Sequence, residues 1–338
     1  MVTSGFGRCR SSGGAIEMTE HLLTLALRVL IYPGALFLIF LAFLYEWVDR
    51  KFLARVQNRY GPLYTGPSGI LQPFADFLKL LSKEDIIPAA ADRLLFNLTP
   101  IAYSTLPLVA LLVIPIDGGE AVLAFDGDLI FVMFLLTLIV VTVFLAGLGS
   151  MSRFSIIGGV RAALQMLGYE IPMGLALIGP AVAAGSLSIT DIVRWQSTGL
   201  RWLILLQPLG FAILVCCMLA ELEYVPFDIP EAETEIVAGW RTEFSGRKLA
   251  LIRLGKDLEV VLASALLASL YLGGAQPLYS LPGSITFLIK TVLVVLLFTF
   301  LRGVFARFRI DQMVSGMWRY MVPLAILQVI LVEFGVGR

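Results

Sequence analysis

The chain has 338 residues, of which 58% are hydrophobic and 15% charged, and its formal net charge is zero. Soluble domains are typically about 45–50% apolar and about 25% charged, so the apolar excess indicates surface that faces lipid. Balanced charge gives no electrostatic reason to expect a nucleic-acid partner. The composition therefore excludes an ordinary soluble enzyme and predicts an all-α, polytopic membrane protein.

The supply of metal-binding side chains is small. The cysteines are Cys9, Cys216 and Cys217, and the only histidine is His21. No C-x-x-C pair is present, which excludes a four-cysteine iron–sulfur or zinc site within this chain, and one histidine cannot supply a bis-histidine haem. We therefore expect no metal or redox cofactor bound by this chain alone, so that electron centres would belong to partner chains.

The N-terminal region differs from the rest of the chain. Residues 1–20 are polar, with four glycines and three serines, and lack the apolar core of a signal peptide. Met18 is a candidate for the true start of the chain. We divide the chain into a polar tail, 1–20, and a single membrane domain, 21–338.

Hydrophobic stretches long enough to cross a membrane recur along the domain. A transmembrane helix needs about 20 predominantly apolar residues. We predict eight of them, at 22–46, 98–116, 129–150, 158–184, 202–222, 250–273, 283–302 and 318–335. The sixth gives the weakest signal, because its first half carries charged side chains.

Basic residues are distributed unequally between the two sets of connections. Residues 47–97, 151–157, 223–249 and 303–317, with their immediate flanks, hold 15 Lys and Arg residues, whereas the opposite connections hold two. Cytoplasmic connections are enriched in Lys and Arg. We therefore expect these loops to be cytoplasmic and both termini to lie outside, in a cell inner membrane.

The first large loop contains an amphipathic pattern that follows the turn signals Gly61-Pro62 and Gly66-Pro67. Apolar and polar residues fall on opposite helical faces, namely Ile70, Leu71, Phe74, Phe77, Leu78 and Leu81 against Gln72, Asp76, Lys79 and Lys83. This pattern predicts an interfacial helix. It is either a passive surface helix or one that covers a site or docks a partner, and the preceding turns favour the second.

The third large loop is rich in acids. Six lie within fifteen residues: Glu221, Glu223, Asp228, Glu231, Glu233 and Glu235. Like charges this close repel, which raises pKa values, and carboxyl groups with raised pKa values at a membrane edge suit a proton relay. The alternative is a solvated acidic loop. Interleaved apolar residues, such as Phe227 and Trp240, favour the relay.

The fourth predicted span contains an isolated acid, Glu170, about three turns beyond Arg161. An ionisable group at that depth in the membrane is energetically costly, so we interpret it first as a functional residue. The alternative is a structural ion pair within the membrane. Its candidate charge partners are Arg161, Lys256, Asp257 and Glu259, and Lys290 in span seven is a further intramembrane charge that the sequence does not pair.

Three sequence motifs resemble the subunit 1 family of respiratory complex I. The first is Arg55-x-Gln-x-Arg-x-Gly-Pro with its continuation to Lys79. The second is Gly159-Val-Arg-Ala-Ala-Leu-Gln-Met-Leu-Gly-Tyr-Glu-Ile-Pro. The third is Pro226-Phe-Asp-Ile-Pro-Glu-Ala-Glu-Thr-Glu-Ile-Val-Ala-Gly, followed later by Glu243-Phe-Ser-Gly. They occur in the family's order and cover the chain from about residue 45 to its end.

The resemblance implies a connector subunit without a redox centre of its own, beneath an iron–sulfur arm and beside antiporter-like membrane subunits. Such a connector couples electron transfer to proton or sodium translocation. By motif position the relay would comprise Glu170, Glu221, Asp228, Glu231, Glu233 and Glu235. The electron-acceptor cavity or arm contact would comprise Arg59, Gln72, Asp76, Lys79 and Glu243.

Two departures from the family's sequence pattern bear on which electron acceptor the complex would use. Tyr224 stands where the quinone-reducing pattern usually has Arg, and Gly255-Lys-Asp257 replaces an Ala-Glu-Tyr-like stretch. The surrounding sequence is more similar to the corresponding subunit of membrane-bound hydrogenases and sulfur-reducing complexes, which implies iron–sulfur clusters and a nickel–iron site in partner chains. The alternative is the quinone-site subunit of a dehydrogenase that oxidises NADH or a reduced deazaflavin.

Functions from other classes stay open. A stand-alone secondary ion transporter also fits eight spans with buried charges, although such transporters usually show internal repeats, and none is evident here. A purely structural anchor is disfavoured by Glu170.

Overall fold

The computed structural model describes residues 24–198, 202–277 and 281–337. The predicted tail 1–20, Met18, Cys9 and His21 lie outside these ranges. Within them the regular structure is entirely helical, as the composition predicts. The main helices are α1 (Ala35–Val56, preceded by helical residues 24–30), α2 (Gln72–Ser82), α3 (Arg93–Leu111), α4 (Asp128–Gly149), α5 (Arg153–Ala184), α6 (Ile189–Ser197), α7 (Pro208–Glu221), α8 (Gly246–Tyr271), α9 (Gly283–Val304) and α10 (Ile310–Glu333). Short helical turns occur at Pro67–Gly69, Leu203–Leu206, Glu233–Ile236 and Gly239–Arg241.

Seven of the eight predicted spans each correspond to one helix. Six helices of the described chain are long and apolar enough to cross a membrane: Thr24–Val56, which contains α1, and α3, α4, α5, α9 and α10. The span predicted at 202–222 is broken at Gln207, because Pro208 has no backbone donor and begins a new helix, the 14-residue α7. Helix α8 is long enough, with 26 residues, but carries charged side chains.

Several predicted boundaries are displaced. Helix α5 begins at Arg153 rather than 158, and α10 begins at Ile310 rather than 318. Charged residues at helix ends can extend a helix beyond its apolar stretch, which a hydropathy pattern does not detect. Helix α6 lies within the predicted connection 185–201. Its first turn is held by Asp128, whose carboxylate accepts a 2.6 Å hydrogen bond from the Ile189 backbone N–H.

The connections lie at two opposite ends of the bundle. At one end, here called the loop end, residues 57–92, 150–152, 222–245 and 305–309 contact one another. Backbone hydrogen bonds there join Asp92 to Gly149 and Phe308 to Pro226. At the opposite end Tyr32 donates to Asp117, and Gln207 donates to the Gly337 carbonyl. The described chain therefore begins and ends away from the loop end.

Helix α8 forms the core of the bundle. Every residue from Leu258 to Tyr271 is buried, and the helix packs against α1, α2, α3 and α9. Gly255 allows close approach to α3, since a Cβ there would lie 2.6 Å from the Tyr103 ring. The charged half of α8, which weakened its prediction as a span, is directed into protein rather than lipid.

A buried glutamine ties α10 to this core. Gln328 is 2% exposed and its amide nitrogen donates to Gln207 Oε1 at 3.2 Å. Gly179 on α5 and Gly210 on α7 provide its space, because a Cβ at either position would overlap the Gln328 amide. Such polar contacts between helices stabilise membrane bundles, and small residues permit the close packing.

We expect Gly210→Ala to destabilise the bundle by about 1–3 kcal/mol, the usual cost of overpacking a well-packed interior. The penalty should shrink in a Gln328→Ala background, because the obstructing amide is then absent. Thermal unfolding in detergent of the parent, both single variants and the double variant measures the coupling. Equal penalties in both backgrounds would contradict this account.

Candidate functional site

The acidic segment 222–245 is folded into the bundle by aromatic packing. Trp240 is 1% exposed, and its ring lies edge-on to Tyr103 at 5.3 Å. Phe244 stacks on Phe96 with ring centroids 4.3 Å apart. Gly158 on α5 makes room for this segment, since a Cβ there would collide with the Trp240 backbone. Trp240 and Phe244 thus anchor the segment in the protein interior, while residues 233–235 between them and α7 remain exposed.

Four carboxylates and two cations meet beneath this segment. We call Glu221, Glu223, Glu231 and Glu259, with Lys256 and Arg241, the carboxylate cluster. Lys256 Nζ lies 3.2 Å from Glu223 Oε2 and 3.7 Å from Glu231 Oε1, and Arg241 binds Glu231. Two cations cannot neutralise four carboxylates, and an uncompensated buried charge is costly. The cluster therefore favours at least one bound proton.

Neutral donors complete the cluster. Tyr169 hydrogen-bonds Glu221, Tyr103 hydrogen-bonds Glu259, and the Trp240 indole donates to Glu223 at 3.4 Å. One oxygen each of Glu221, Glu231 and Glu259 has no hydrogen-bond partner among the described residues. Unlike a fixed cation, a phenol or indole leaves a carboxyl group able to bind and release a proton.

Two neighbouring acids outside the helices have opposite pKa shifts. Burial raises the pKa of Glu223 to about 7, despite the opposing attraction of Lys256. Burial would also raise the pKa of Glu231, but attraction from Arg241 and Lys256 outweighs it and lowers that pKa. Adjacent groups whose pKa values are pushed apart can serve as proton donor and acceptor.

A cavity of about 510 Å³ opens beside the cluster at the loop end. Ten of its sixteen lining residues are ionisable, and Glu231, Arg241 and Lys256 belong to both features. The ionisable residues are Glu46, Asp49, Arg50, Arg59, Glu231, Arg241, Arg253, Lys256, Asp257 and Arg302. Its other wall includes Tyr224, whose ring lies 4.5 Å from the Arg302 guanidinium carbon, and Asp49, which binds Arg302 at 3.0 Å.

The residues predicted for the cavity divide into two groups. Arg59 is exposed and lines the cavity. Asp76 lies behind the cavity wall on α2 and accepts a 2.9 Å hydrogen bond from Gln72. Lys79 is exposed and Glu243 is half-buried, and neither lines the cavity. Helix α2 covers the bundle at the loop end, with Asp76 bound to Arg50 at 2.8 Å.

Glu170 is half-buried on α5 and accepts a 2.7 Å hydrogen bond from Thr137 on α4. It has no ion pair within the described residues, and Glu221 lies within electrostatic range. Arg161 binds Glu235 at 2.6 Å instead, and Lys256 binds members of the carboxylate cluster. The intramembrane ion pair considered for Glu170 is therefore not found in the described part of the chain.

The remaining predicted relay residues lie at the periphery of the loop end, where Asp228 is half-buried. Glu235 is exposed and bound by Arg161 and Arg307, and Asp228 lies 3.8 Å from Arg307. Glu233 is exposed. The structure thus groups Glu221 and Glu231 inside, with Glu170 nearby on α5, and leaves the other three predicted relay residues peripheral.

Several charged residues of the site were not assigned from sequence. Glu223 is one of the six acids of the third loop, but the sequence did not place it in the relay. The sequence also did not identify the charged residues of α1 and α9 that line the cavity, namely Glu46, Asp49, Arg50 and Arg302. The three on α1 are spaced at helical intervals near its end, which was an available signal. Lys290 is buried elsewhere and donates to the Gly274 carbonyl at 2.9 Å.

The site has no arrangement suited to a metal. Across residues 24–198, 202–277 and 281–337, no three or more His, Cys, Asp or Glu side chains are grouped to hold an ion. Cys216 and Cys217 lie together on α7 as free thiols.

We expect Glu223→Gln to remove a carboxyl group that titrates within about one unit of pH 7. Because the pKa is raised, this group holds its proton below that range and ionises above it. Infrared difference spectra recorded against pH should lose the corresponding carboxylic signal in the variant. Glu333→Gln, at an exposed acid of α10, is the control, and an unchanged titration in Glu223→Gln would contradict the assignment.

The chain is similar in sequence to known proteins. The family model described as NADH dehydrogenase matches residues 29–333. The chain is 42% identical over 305 residues to an NADH-quinone oxidoreductase subunit of Cereibacter sphaeroides, covering 87% of this chain and 92% of the relative. It is 40% identical over 294 residues to the corresponding NADH-quinone oxidoreductase subunit of Rhodopseudomonas palustris, covering 87% and 91%.

A solved structure is also similar. It is a chain of the membrane-bound sulfane sulfur reductase, an archaeal respiratory membrane complex, with a TM-score of 0.82 and 30% sequence identity. The match covers 91% of this chain and 99% of the other.

Proposed function

This chain belongs to the NADH dehydrogenase family, as a membrane subunit of a complex I-like respiratory oxidoreductase, and from that membership we propose that it couples electron transfer to proton translocation. The electrons would pass through an iron–sulfur arm docked at the loop end. The observation that carries the proposal is the carboxylate cluster, in which acids outnumber cations between the cavity and Glu170.

The proposed path leads from the cavity through the cluster to α5. Glu231 and Lys256 line the cavity, and Lys256 contacts Glu223. Glu221 lies within electrostatic range of both Glu223 and Glu170. Asp228, Glu233 and Glu235 would belong to its surface end, where they meet solvent or the arm.

Glu170 would form the exit of this path. Its α5 neighbours Leu167 and Ile171 are exposed, as expected for an outward-facing surface. An ionisable group within a span is costly next to lipid and normally faces protein or water. We therefore propose that an antiporter-like subunit covers this surface and receives the proton.

Charge changes in the cavity would drive the transfer. An electron or anion arriving there makes protonation of nearby acids more favourable. Glu223 is poised to respond because burial raises its pKa to about 7, whereas Glu231, with its lowered pKa, stays ionised. The proton is a more suitable coupling ion than sodium, because the cluster offers phenol and indole donors whereas hard cations require several oxygen ligands.

The orientation follows from charge. The predicted cytoplasmic loops, which carry the excess of Lys and Arg, include the connections gathered at the loop end. We propose that the loop end is cytoplasmic and that the termini lie on the other side of an inner membrane. The cavity would then face a cytoplasmic electron-transfer arm.

The cavity favours a small polar electron acceptor. Ten ionisable residues line it, whereas pockets for extended apolar ligands are lined mainly by hydrophobic side chains. We therefore favour the sulfur-reducing or hydrogen-evolving branch, consistent with the similarity to the sulfane sulfur reductase chain. Quinone reduction is the second candidate, supported by the names of relatives that are 40–42% identical.

The acceptor is tested with the intact complex purified from its own membranes. Supplied with a low-potential electron donor, it should reduce polysulfide or evolve hydrogen at a higher rate than it reduces a soluble quinone. Heat-inactivated complex is the control. Quinone reduction as the predominant reaction would replace the first candidate acceptor with the second.

The relay is tested by Glu170→Gln and Glu221→Gln in proteoliposomes. We expect the number of protons translocated per electron to fall severalfold while the complex remains assembled, because an amide cannot carry the proton. Asp126→Asn, at an exposed acid of the opposite end, is the matched control. Unchanged translocation in both relay variants would refute the path.

A further inference from the structure

A second charged network forms the cavity wall that faces α1 and α2. Arg50 on α1 binds Asp76 on α2 at 2.8 Å and also binds Glu46 one turn earlier on its own helix. Glu46 and Asp257 on α8 line the same cavity and the same narrow crevice, and their carboxyl groups influence each other electrostatically. Three helices thereby contribute to one set of neighbouring charged groups, here called the side-wall network: Asp76, Arg50, Glu46 and Asp257.

The arrangement of Glu46 and Asp257 favours a bound proton. Arg50 is already shared between Glu46 and Asp76, and Asp257 has no salt-bridge partner in the described part of the chain. Neighbouring carboxylates repel each other, and a buried charge without a partner is costly, so a proton on one of the two acids is favourable. The charged and titratable groups facing this pair are Arg50 on α1, Arg253 on α8, Asp76 on α2 and Tyr224 of the acidic segment. The pair is thus a proton-holding site embedded among cations and a further acid.

The network connects the cavity with the surface of the loop end. Glu46, Arg50 and Asp257 line the main cavity, and all three also line a narrow crevice beneath α2 that includes Asp76. The crevice measures about 10 Å³, close to the space that one water molecule needs. The side chains of Asp76 and Arg50 are 30% and 33% exposed, whereas that of Glu46 is 18% exposed, so the network has a solvent-accessible end at Asp76 and Arg50 and a more buried end at Glu46.

The network lies apart from the carboxylate cluster. Lys256 and Asp257 are consecutive on α8, and successive residues of a helix point about 100° apart. Lys256 is directed to Glu223 and Glu231, whereas Asp257 is directed to Glu46. One helix therefore separates two sets of acids that both reach the same cavity.

Reduction of any candidate acceptor consumes protons in that cavity. Two electrons and two protons convert an S–S bond into two S–H groups or a quinone into a quinol, and two electrons combine two protons into one hydrogen molecule. Arginine does not give up its proton in proteins. Glu231, whose pKa is lowered by Arg241 and Lys256 against the effect of burial, has no proton to donate at neutral pH.

We infer that the Glu46–Asp257 pair donates to the cavity the protons consumed when the acceptor is reduced, and that it is reloaded from the loop-end surface past Asp76. In each donation the carboxylic O–H bond breaks and its proton bonds to the reduced acceptor atom. The electrons come from an iron–sulfur centre of the docked arm. The pair is left as two carboxylates beside Arg50 and Arg253 until a proton from solvent restores it.

This inference rests on the proposed function but assigns these acids a different role. The carboxylate cluster would carry translocated protons, whereas the side-wall network would carry protons that end in the product. Blocking the network should therefore slow acceptor reduction without changing the number of protons translocated by each electron that still passes.

The test uses the intact complex in proteoliposomes carrying Glu46→Gln, Asp257→Asn or both. We expect acceptor reduction to slow by roughly a hundredfold, the lower end of the range for loss of a positioned acid. The remaining rate should rise as pH falls, because water must then supply the proton directly. Protons translocated per electron should remain at the parent value.

Matched variants separate this role from a structural one. Glu46→Asp keeps a carboxyl group and should retain most of the rate. Asp126→Asn and Glu333→Gln, exposed acids outside the loop end, should change nothing. Should the paired variants fail to assemble, Asp76→Asn at the partly exposed end of the network should still slow reduction and shift its pH profile.

Specific outcomes would overturn the inference. The donor role is refuted if the Glu46→Gln/Asp257→Asn variant reduces the acceptor at the parent rate with an unchanged pH profile. Where that variant does not assemble, the same result in Asp76→Asn refutes it. A fall in protons per electron in step with the rate would place the pair in the relay. If Glu221→Gln leaves translocation intact while Glu46→Gln slows reduction, the proposed coupling function fails and the donor role stands.

Discussion

The contact of the Lys256 ammonium with Glu223 and Glu231 is the interaction on which the loop end depends. It brings two acids of a connecting segment against a central helix, and Arg241 adds a second cation. Removing one partner of a buried charged pair leaves the other uncompensated, which is strongly destabilising. Because acids still outnumber cations after this pairing, the same interaction that orders the segment also leaves it able to hold protons.

Charged side chains project from two sides of helix α8. Its C-terminal half, residues 258–271, is buried throughout and fixes the position of the charged N-terminal half. Lys256 and Asp257 then project to different walls of one cavity, so that a single rigid element positions two sets of acids. Rigid placement matters for proton transfer, since the groups must stay within hydrogen-bonding distance of their partners.

The sequence predicts the helices well and the pairing of charges poorly. Apolar stretches locate the spans, and the 3–4 spacing of Phe74, Phe77 and Leu78 locates α2, because both patterns are local. The burial of α8 was underestimated, since hydropathy cannot distinguish a charge directed at a protein partner from one directed at lipid. Glu46 and Asp257 come together only through packing of the first helix against the eighth, and no spacing along the chain encodes that contact.

The same limit explains why the acids of the third loop cannot be distinguished from sequence. Six carboxylates within fifteen residues look equivalent in sequence, but Trp240 and Phe244 are anchored by Tyr103 and Phe96 from α3, which folds Glu223 inward and leaves Glu233 outside. Distant aromatic contacts, and not local charge density, determine which acids lose solvent. Between two of the acids folded inward, nearby cations then make the difference: burial raises the pKa of Glu223, whereas Arg241 and Lys256 lower that of Glu231.

Glu170 shows why such a chain needs neighbouring subunits. Its carboxylate accepts a hydrogen bond from the neutral Thr137 hydroxyl, and no ion pair holds it among the described residues. A carboxylate on an outward, otherwise apolar surface is costly beside lipid, and the cost is removed only when protein or water covers it. The placement that would suit Glu170 to the proposed transfer therefore also leaves its outward side to be covered by a neighbour, and this argues for a connector within a larger complex and against a transporter that acts alone.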